Sequence, residues 1–163
     1  MVRESMGALM TFDELDSRFP NGFDDAEIIG IAVDYGSRTA RLQLNLRGNS
    51  PDSPDRDVYS RAILTASGIY YLSIEPPDRD HLSWPDHEKI TVDGLPEDPH
   101  DFPLFSSLKP TLPVGAFCCR FFVHDWNSFI HIAAADADFS WENLGRSMNE
   151  IKSVTDGSDP NSA

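Results

Sequence analysis

The sequence predicts a mainly β protein: a single curved antiparallel sheet or open barrel of about seven strands, with one or two short helices. Apolar residues recur at every second position in several segments, which is the spacing of a half-buried strand. Turn residues separate these segments at short intervals. No helical segment that could join parallel strands lies between them, so the strands are expected to be antiparallel.

The N-terminal part contains a helix signal followed by a hairpin signal. Thr11 and Glu14 have the spacing of a capping box, in which each side chain bonds the other residue's amide. This predicts a helix over about residues 12–19, with its apolar face packed on the sheet. From Ala26 the apolar spacing changes to two, and a Gly-Ser turn leads to a second, cleanly alternating segment over residues 40–47. The two segments predict an antiparallel hairpin.

The rest of the chain has five further segments with strand patterns: residues 58–66, 69–74, 88–92, 117–123 and 129–137. Gly68 marks either a turn or a bulge between the first two. The last two flank Asp125-Trp126-Asn127-Ser128, whose side chains are typical of a hairpin turn. After Ser140, a residue suited to an N-cap, apolar residues at helical spacing up to Ile151 predict a second helix.

The composition is that of one domain in a reducing compartment. The chain has 163 residues, 40% of them hydrophobic, which is enough to bury a core. Residues 1–154 are expected to form a single antiparallel β domain, and the polar residues 155–163 a frayed tail. There is no apolar run of signal-peptide or membrane-span length. Together with the adjacent cysteines Cys118 and Cys119, which are poorly placed to bridge, this predicts a cytoplasmic protein.

The charge of the chain indicates what kind of partner it can attract. Asp and Glu number 27 against 13 Lys and Arg, a formal net charge of -14. Such a chain repels nucleic-acid phosphate and anionic membrane surfaces, so neither is expected as a partner. It attracts basic proteins, and that association would be steered by charge and weakened by salt. A basic protein is therefore the expected partner.

No motif for catalysis or for a cofactor stands out. The chain lacks GxSxG, GxGxxG and Walker A patterns, and the two cysteines lie in a strand among aromatic residues, as inert core thiols do. His124 and His131 share a face of the predicted hairpin, but no third metal ligand accompanies them there. The other three histidines, in an irregular acidic stretch, fit no ligand pattern: His81, His87 and His100. The sequence thus predicts no catalytic residue, metal or cofactor.

Two alternatives remain open at this point. Asp24, Asp25 and Glu27 cluster near the first strand, and paired carboxylates can act as general acid and base, although capping and turn bonds are the simpler role. A small metal-dependent or carboxylate-based enzyme is therefore one alternative, and it requires such groups to converge in a pocket. The other is a structural protein that forms a homodimer or larger homo-oligomer through sheet edges or the face of Trp141–Ile151.

The predicted binding surface combines an acidic loop, residues 78–101, with the turn at residues 124–128. Exposed aromatic residues beside acidic loops are typical of surfaces that bind proteins. Six residues in these two segments are the candidates for contact with a partner: Asp78, Asp80, Trp84, Asp86, Asp125 and Trp126.

Two segments resemble a group of small bacterial domains of uncharacterised function. The first segment is residues 23–46. Those domains open with His-Asp-Ala and a hydrophobic strand, followed by a second strand of alternating leucines, and Asp25-Ala26-Glu27-Ile28 matches this opening with Asp24 in place of the histidine. The segment SFIHIAAADADFSW, residues 128–141, is similar to their closing hairpin. Some relatives are grouped with the immunity proteins of polymorphic-toxin systems. The resemblance implies a single antiparallel β domain whose role is binding. The acidity of the chain, its β architecture and its lack of a catalytic constellation favour a non-enzymatic binding protein, with an immunity-type neutraliser of a basic toxin domain as the specific hypothesis.

Overall fold

The computed structural model describes residues 10–49, 52–80, 89–97 and 112–142. Within these ranges, the short helix α1 (Phe12–Asp16) is followed by six strands: β1 (Ala26–Asp34), β2 (Thr39–Arg47), β3 (Tyr59–Ile74), β4 (Ile90–Pro96), β5 (Phe117–Val123) and β6 (Ser128–Trp141). A 3-10 turn, His124–Trp126, connects β5 to β6.

The strands form a closed barrel in the order β1-β2-β3-β6-β5-β4, and every neighbouring pair is antiparallel. The prediction of a mainly β, antiparallel fold with few helices is confirmed, and the curved sheet closes on itself. Closure removes the unpaired edges that an open sheet exposes. The closing contact is short, because β1 meets β4 only through Ala26–Ile28 opposite Ile90–Val92. We call this contact the seam.

The described barrel has six strands and not seven, because two of the predicted segments form a single continuous strand. Residues 58–66 and 69–74 both belong to β3, and the register against β6 shifts between Ile69 and Tyr71. Gly68 lies beside this irregularity with φ +65°, a conformation that glycine adopts without strain. Gly68 therefore marks a bulge, which bends the long strand around the barrel.

Helix α1 begins as predicted and ends earlier. The Thr11 hydroxyl accepts the Glu14 amide at 3.3 Å and the Glu14 carboxylate accepts the Thr11 amide at 3.0 Å, so the capping box is present. The helix ends at Asp16 instead of near residue 19. Asp16 Oδ1 accepts the amide of Phe23 at 2.8 Å, and this bond fixes the chain where it turns back toward β1.

The predicted start of a second helix is wrong. Ser140 and Trp141 continue β6 and pair with β3, so cross-strand hydrogen bonding takes precedence over the N-capping preference of the serine. The rest of that predicted helix and the predicted tail fall in residues 143–163, outside the described part of the chain. Among the described residues, no helix has the length and apolar character needed to span a bilayer.

The helix side of the barrel is packed with phenylalanines. The ring centroid of Phe12 lies 5.2 Å from that of Phe23, 5.9 Å from Phe117 and 6.1 Å from Phe121. Gly94 of β4 makes this packing possible, because a Cβ at that position would lie 2.6 Å from the Phe23 Cβ. The Gly94 amide also donates to the Phe23 carbonyl at 3.2 Å. The segment that enters β1 is therefore held directly against β4.

Both predicted hairpins are present. β1 and β2 pair from Glu27↔Asn45 to Asp34↔Thr39. β5 and β6 pair from Val123↔Ser128, which leaves a four-residue connection that ends with Asn127 in the left-handed conformation, φ 46°. Asparagine tolerates this conformation better than most residues, as expected for the predicted turn.

Candidate functional site

The two segments predicted to form a binding surface meet in the structure. The amide of Asp78 donates to the Trp126 carbonyl at 2.8 Å, and Asn127 Nδ2 donates to Asp78 Oδ2 at 3.2 Å. Asp78 Oδ1 also accepts the amide of Asp80 at 3.1 Å. The chain that leaves β3 is therefore fixed onto the β5–β6 turn, although Asp78 and Asn127 are 49 residues apart.

The predicted contact residues differ in exposure. Asp80 is exposed, whereas Asp78 and Asp125 are half-buried. Trp126 is also half-buried and packs against the hydrophobic core. Trp84 and Asp86 fall in residues 81–88, which lie outside the described part of the chain, so their participation stays a prediction.

A second group of side chains, from three parts of the chain, converges next to the same turn. Asp93 on β4 pairs with Phe122 on β5, and His124 follows two residues later. His124 Nε2 lies 2.8 Å from Asp93 Oδ2, and the Asp25 amide donates to Asp93 Oδ1 at 2.9 Å. One ligand atom from each of Asp25, Asp93 and His124 lies within 4.8 Å of the other two. We call these three residues the Asp-Asp-His cluster.

The electrostatics of this region are dominated by carboxylates. Burial favours the neutral form of Asp93, but hydrogen bonds from the Asp25 amide and His124 outweigh it and hold the pKa of Asp93 below its ordinary value. Partial loss of hydration, followed by the carboxylates of Asp93, Asp16 and Asp25, raises the pKa of Asp24. Arg47 Nη1, at 3.9 Å from Asp25 Oδ2, compensates part of this charge.

The three acidic residues near the first strand, Asp24, Asp25 and Glu27, lie in different environments. Asp25 joins the Asp-Asp-His cluster, while Asp24 is exposed beside it. Glu27 is buried and does not bond the turn: its carboxylate accepts Asn45 Nδ2 at 2.8 Å and Lys89 Nζ at 2.6 Å. The predicted turn bonding therefore does not hold for Glu27, whose partners lie on β2 and next to β4.

The histidines share a face, as predicted, but have separate partners. Ring contacts at 5.8, 5.3 and 5.8 Å link His124, Phe122, Phe129 and His131 in that order. His131 is buried, with Nε2 3.0 Å from Glu75 Oε1 and Nδ1 3.3 Å from Glu97 Oε2. Both ring nitrogens of His131 therefore face carboxylates. Since Glu75 follows β3 and Glu97 follows β4, His131 has the geometry of a structural residue that links these two segments to β6.

The two cysteines, which are also candidates for chemistry, are both buried. Burial raises the pKa of the Cys119 thiol well above its ordinary value, which disfavours the reactive thiolate form. A hollow of about 280 Å³ near the β1–β2 hairpin is lined by Val33, Asp34, Tyr35, Arg38, Ile69 and Leu72. Neither of the described histidines lines this hollow. In the Asp-Asp-His cluster, Asp25 and His124 are exposed and Asp93 is half-buried.

Asp93 is the residue that the sequence analysis missed. The Asp93-Gly94 dipeptide is typical of a turn, and the strand predicted nearest to it ended at residue 92. Only the register of β4 against β5 places Asp93 beside His124. Comparison with protein-family models, with curated proteins and with solved structures gives no match.

Proposed function

We propose that this chain is a non-enzymatic binding domain whose partner is a basic protein, and that the partner docks on one continuous acidic surface. This acidic surface consists of Asp24, Asp25, Asp78, Asp80, Asp93 and Asp125. The observation that supports the proposal is the junction of Asp78 with the β5–β6 turn, which joins the carboxylates after β3 to those around His124.

The charge of this surface favours a cationic partner. The pKa of Asp24 is raised by partial loss of hydration and, after that, by repulsion from neighbouring carboxylates. Lys or Arg side chains of a partner would relieve that repulsion, and the net charge of -14 would steer their approach. Half-buried Trp126, at the centre of the turn, adds aromatic surface of the kind found in protein interfaces.

Neutralisation of a basic toxin domain is the specific role that we propose. An immunity-type protein acts by covering its partner, so it needs a complementary surface and no catalytic group. The resemblance of residues 23–46 and 128–141 to domains grouped with immunity proteins agrees with this role. A bacterial cytoplasmic location, where such a protein would meet its toxin, is part of the same proposal.

Capture of the tagged chain from its native host, at low and then high salt, with mass spectrometry of the bound proteins, tests this function. A basic protein that is retained at low salt and released at high salt is the expected result. The absence of any basic partner, or retention that does not respond to salt, would contradict the proposal.

Two double variants then test the surface itself. Asp80→Asn combined with Asp125→Asn should weaken binding of the captured partner about tenfold at low salt, since each rim charge contributes up to roughly 1 kcal/mol. Asp57→Asn combined with Asp138→Asn removes the same charge from two other exposed positions and should change the affinity less than about twofold. Equal effects of the two double variants would mean that only the net charge matters.

A further inference from the structure

We propose that Asp25, Asp93 and His124 bind a divalent transition-metal ion, and that Zn²⁺ suits these donors best. The proposal concerns the isolated chain and does not depend on the basic partner. It arises from a mixed set of one imidazole and two carboxylates, brought together from the turn before β1, from β4 and from the β5–β6 turn.

The distances in the cluster are close to those around a metal ion. Zn²⁺ binds nitrogen and oxygen ligands at about 2.0–2.2 Å, so neighbouring ligand atoms in a tetrahedral site are about 3.3 Å apart. The His124 Nε2 to Asp93 Oδ2 distance is already 2.8 Å, and all three donor atoms lie within 4.8 Å of one another. Asp25 and His124 are exposed, so side-chain rotations can supply the remaining adjustment.

The surroundings of the cluster supply negative charge. Two carboxylates of the cluster and the adjacent Asp24 attract a dication. Arg47 pairs with Asp25, but the 3.9 Å between Arg47 Nη1 and Asp25 Oδ2 is too long for a hydrogen bond. The metal would take the place of the hydrogen bond between His124 Nε2 and Asp93 Oδ2, because this ring nitrogen and this carboxylate oxygen would both become its ligands.

The donor set decides between classes of cation. Mg²⁺ and Ca²⁺ prefer sites made of oxygen ligands alone, whereas Zn²⁺ accepts imidazole and carboxylate together. Three protein ligands leave a coordination position for water or for a side chain of a partner. His131 is not a competing site, because it is buried and both its ring nitrogens already face carboxylates.

Titration calorimetry of the full chain with Zn²⁺ at neutral pH, and with Mg²⁺ as the comparison, tests the proposal. We expect one saturable Zn²⁺ site per chain and no comparable binding of Mg²⁺. His124→Ala and Asp93→Asn should each weaken Zn²⁺ binding by at least about tenfold, because the first removes a ligand and the second replaces an anionic ligand with a neutral amide. Asp138→Asn, at an exposed carboxylate on β6, should leave the affinity unchanged.

A further variant separates this site from the histidines outside the described residues. Zn²⁺ binding should survive the simultaneous replacement by alanine of His81, His87 and His100. Its loss in that variant, its persistence in His124→Ala, or the absence of saturable binding at millimolar Zn²⁺ would each overturn the proposal. Far-UV circular dichroism checks that every variant is folded, and His124→Gln replaces His124→Ala if the alanine variant is not.

Discussion

At the scale of single residues, Asp24 shows that the acidic surface lowers the stability of the fold. Its pKa is raised, so the folded state binds the Asp24 proton more tightly than the unfolded state does. Ionisation of Asp24 therefore destabilises the fold above its folded-state pKa, and this penalty disappears as the pH falls below the ordinary value of 3.8. The proposed function gives a reason for such a residue, because a surface that attracts cations must hold like charges together.

Asp24→Asn should therefore stabilise the protein at neutral pH. The expected gain is up to about 0.5 kcal/mol, the usual limit for an exposed position, and it should fade as the pH approaches about 4. Urea denaturation at both pH values measures it, with Asp138→Asn as the matched loss of one exposed carboxylate. A gain of the same size at both pH values would show that charge repulsion is not its cause.

The close contact between Phe23 and β4 depends on Gly94. In Gly94→Ala the new methyl group would lie 2.6 Å from the Phe23 Cβ and 2.9 Å from the Phe12 ring, so the core must shift. We expect a loss of about 2 kcal/mol in the free energy of unfolding, measured in urea. Gly30→Ala is the control, because the nearest atom to its methyl group would be Gln43 Oε1 at 3.9 Å. Equal stability of the two variants would contradict the packing argument.

At the scale of elements, an ion pair with a buried glutamate supports the seam between β1 and β4. Glu27 lies within the seam, and its side chain is 10% exposed, with Lys89 and Asn45 as donors to its carboxylate. Among the described residues, Lys89→Met leaves that carboxylate with the Asn45 amide as its donor, so the fold should lose about 1–3 kcal/mol. Arg56→Met breaks the exposed pair with Asp57 and should change stability by less than about 0.5 kcal/mol. A thermal denaturation series that ranks these variants in the opposite order would refute this role for Glu27.

The elements that could be predicted from sequence are those set by neighbours in the chain. The capping box at Thr11 and both hairpins depend on residues a few positions apart, and periodicity reveals them. The strand predicted over residues 88–92 is displaced from β4, which spans Ile90–Pro96, because no hairpin signal in the sequence fixes its register against a neighbour. Asp93 lies 68 residues from Asp25 and 31 from His124, so the Asp-Asp-His cluster depends on that register and no spacing in the sequence indicates it.

At the scale of the whole molecule, the barrel is closed unevenly. The seam has three residue pairs, whereas β3 and β6 pair at eleven positions. Local opening should therefore begin between β1 and β4, where the fewest cross-strand bonds must break. The Asp-Asp-His cluster lies at one end of this seam, since Asp25 precedes Ala26, Asp93 follows Val92, and Ala26 pairs with Val92. A ligand held by both aspartates would join the two strands where they are least connected.

Hydrogen exchange followed by NMR tests this connection between the site and the fold. Without metal, hydrogen-bonded amides of Ala26–Ile28 and Ile90–Val92 should exchange faster than those in the centre of β3 and β6. Saturating Zn²⁺ should slow exchange across the seam more than elsewhere, because a ligand that binds only the closed form stabilises it against opening. Asp93→Asn should abolish the Zn²⁺ effect and Asp138→Asn should retain it. Uniform slowing throughout the barrel would mean that the metal stabilises the molecule globally, and that the seam is not its weakest contact.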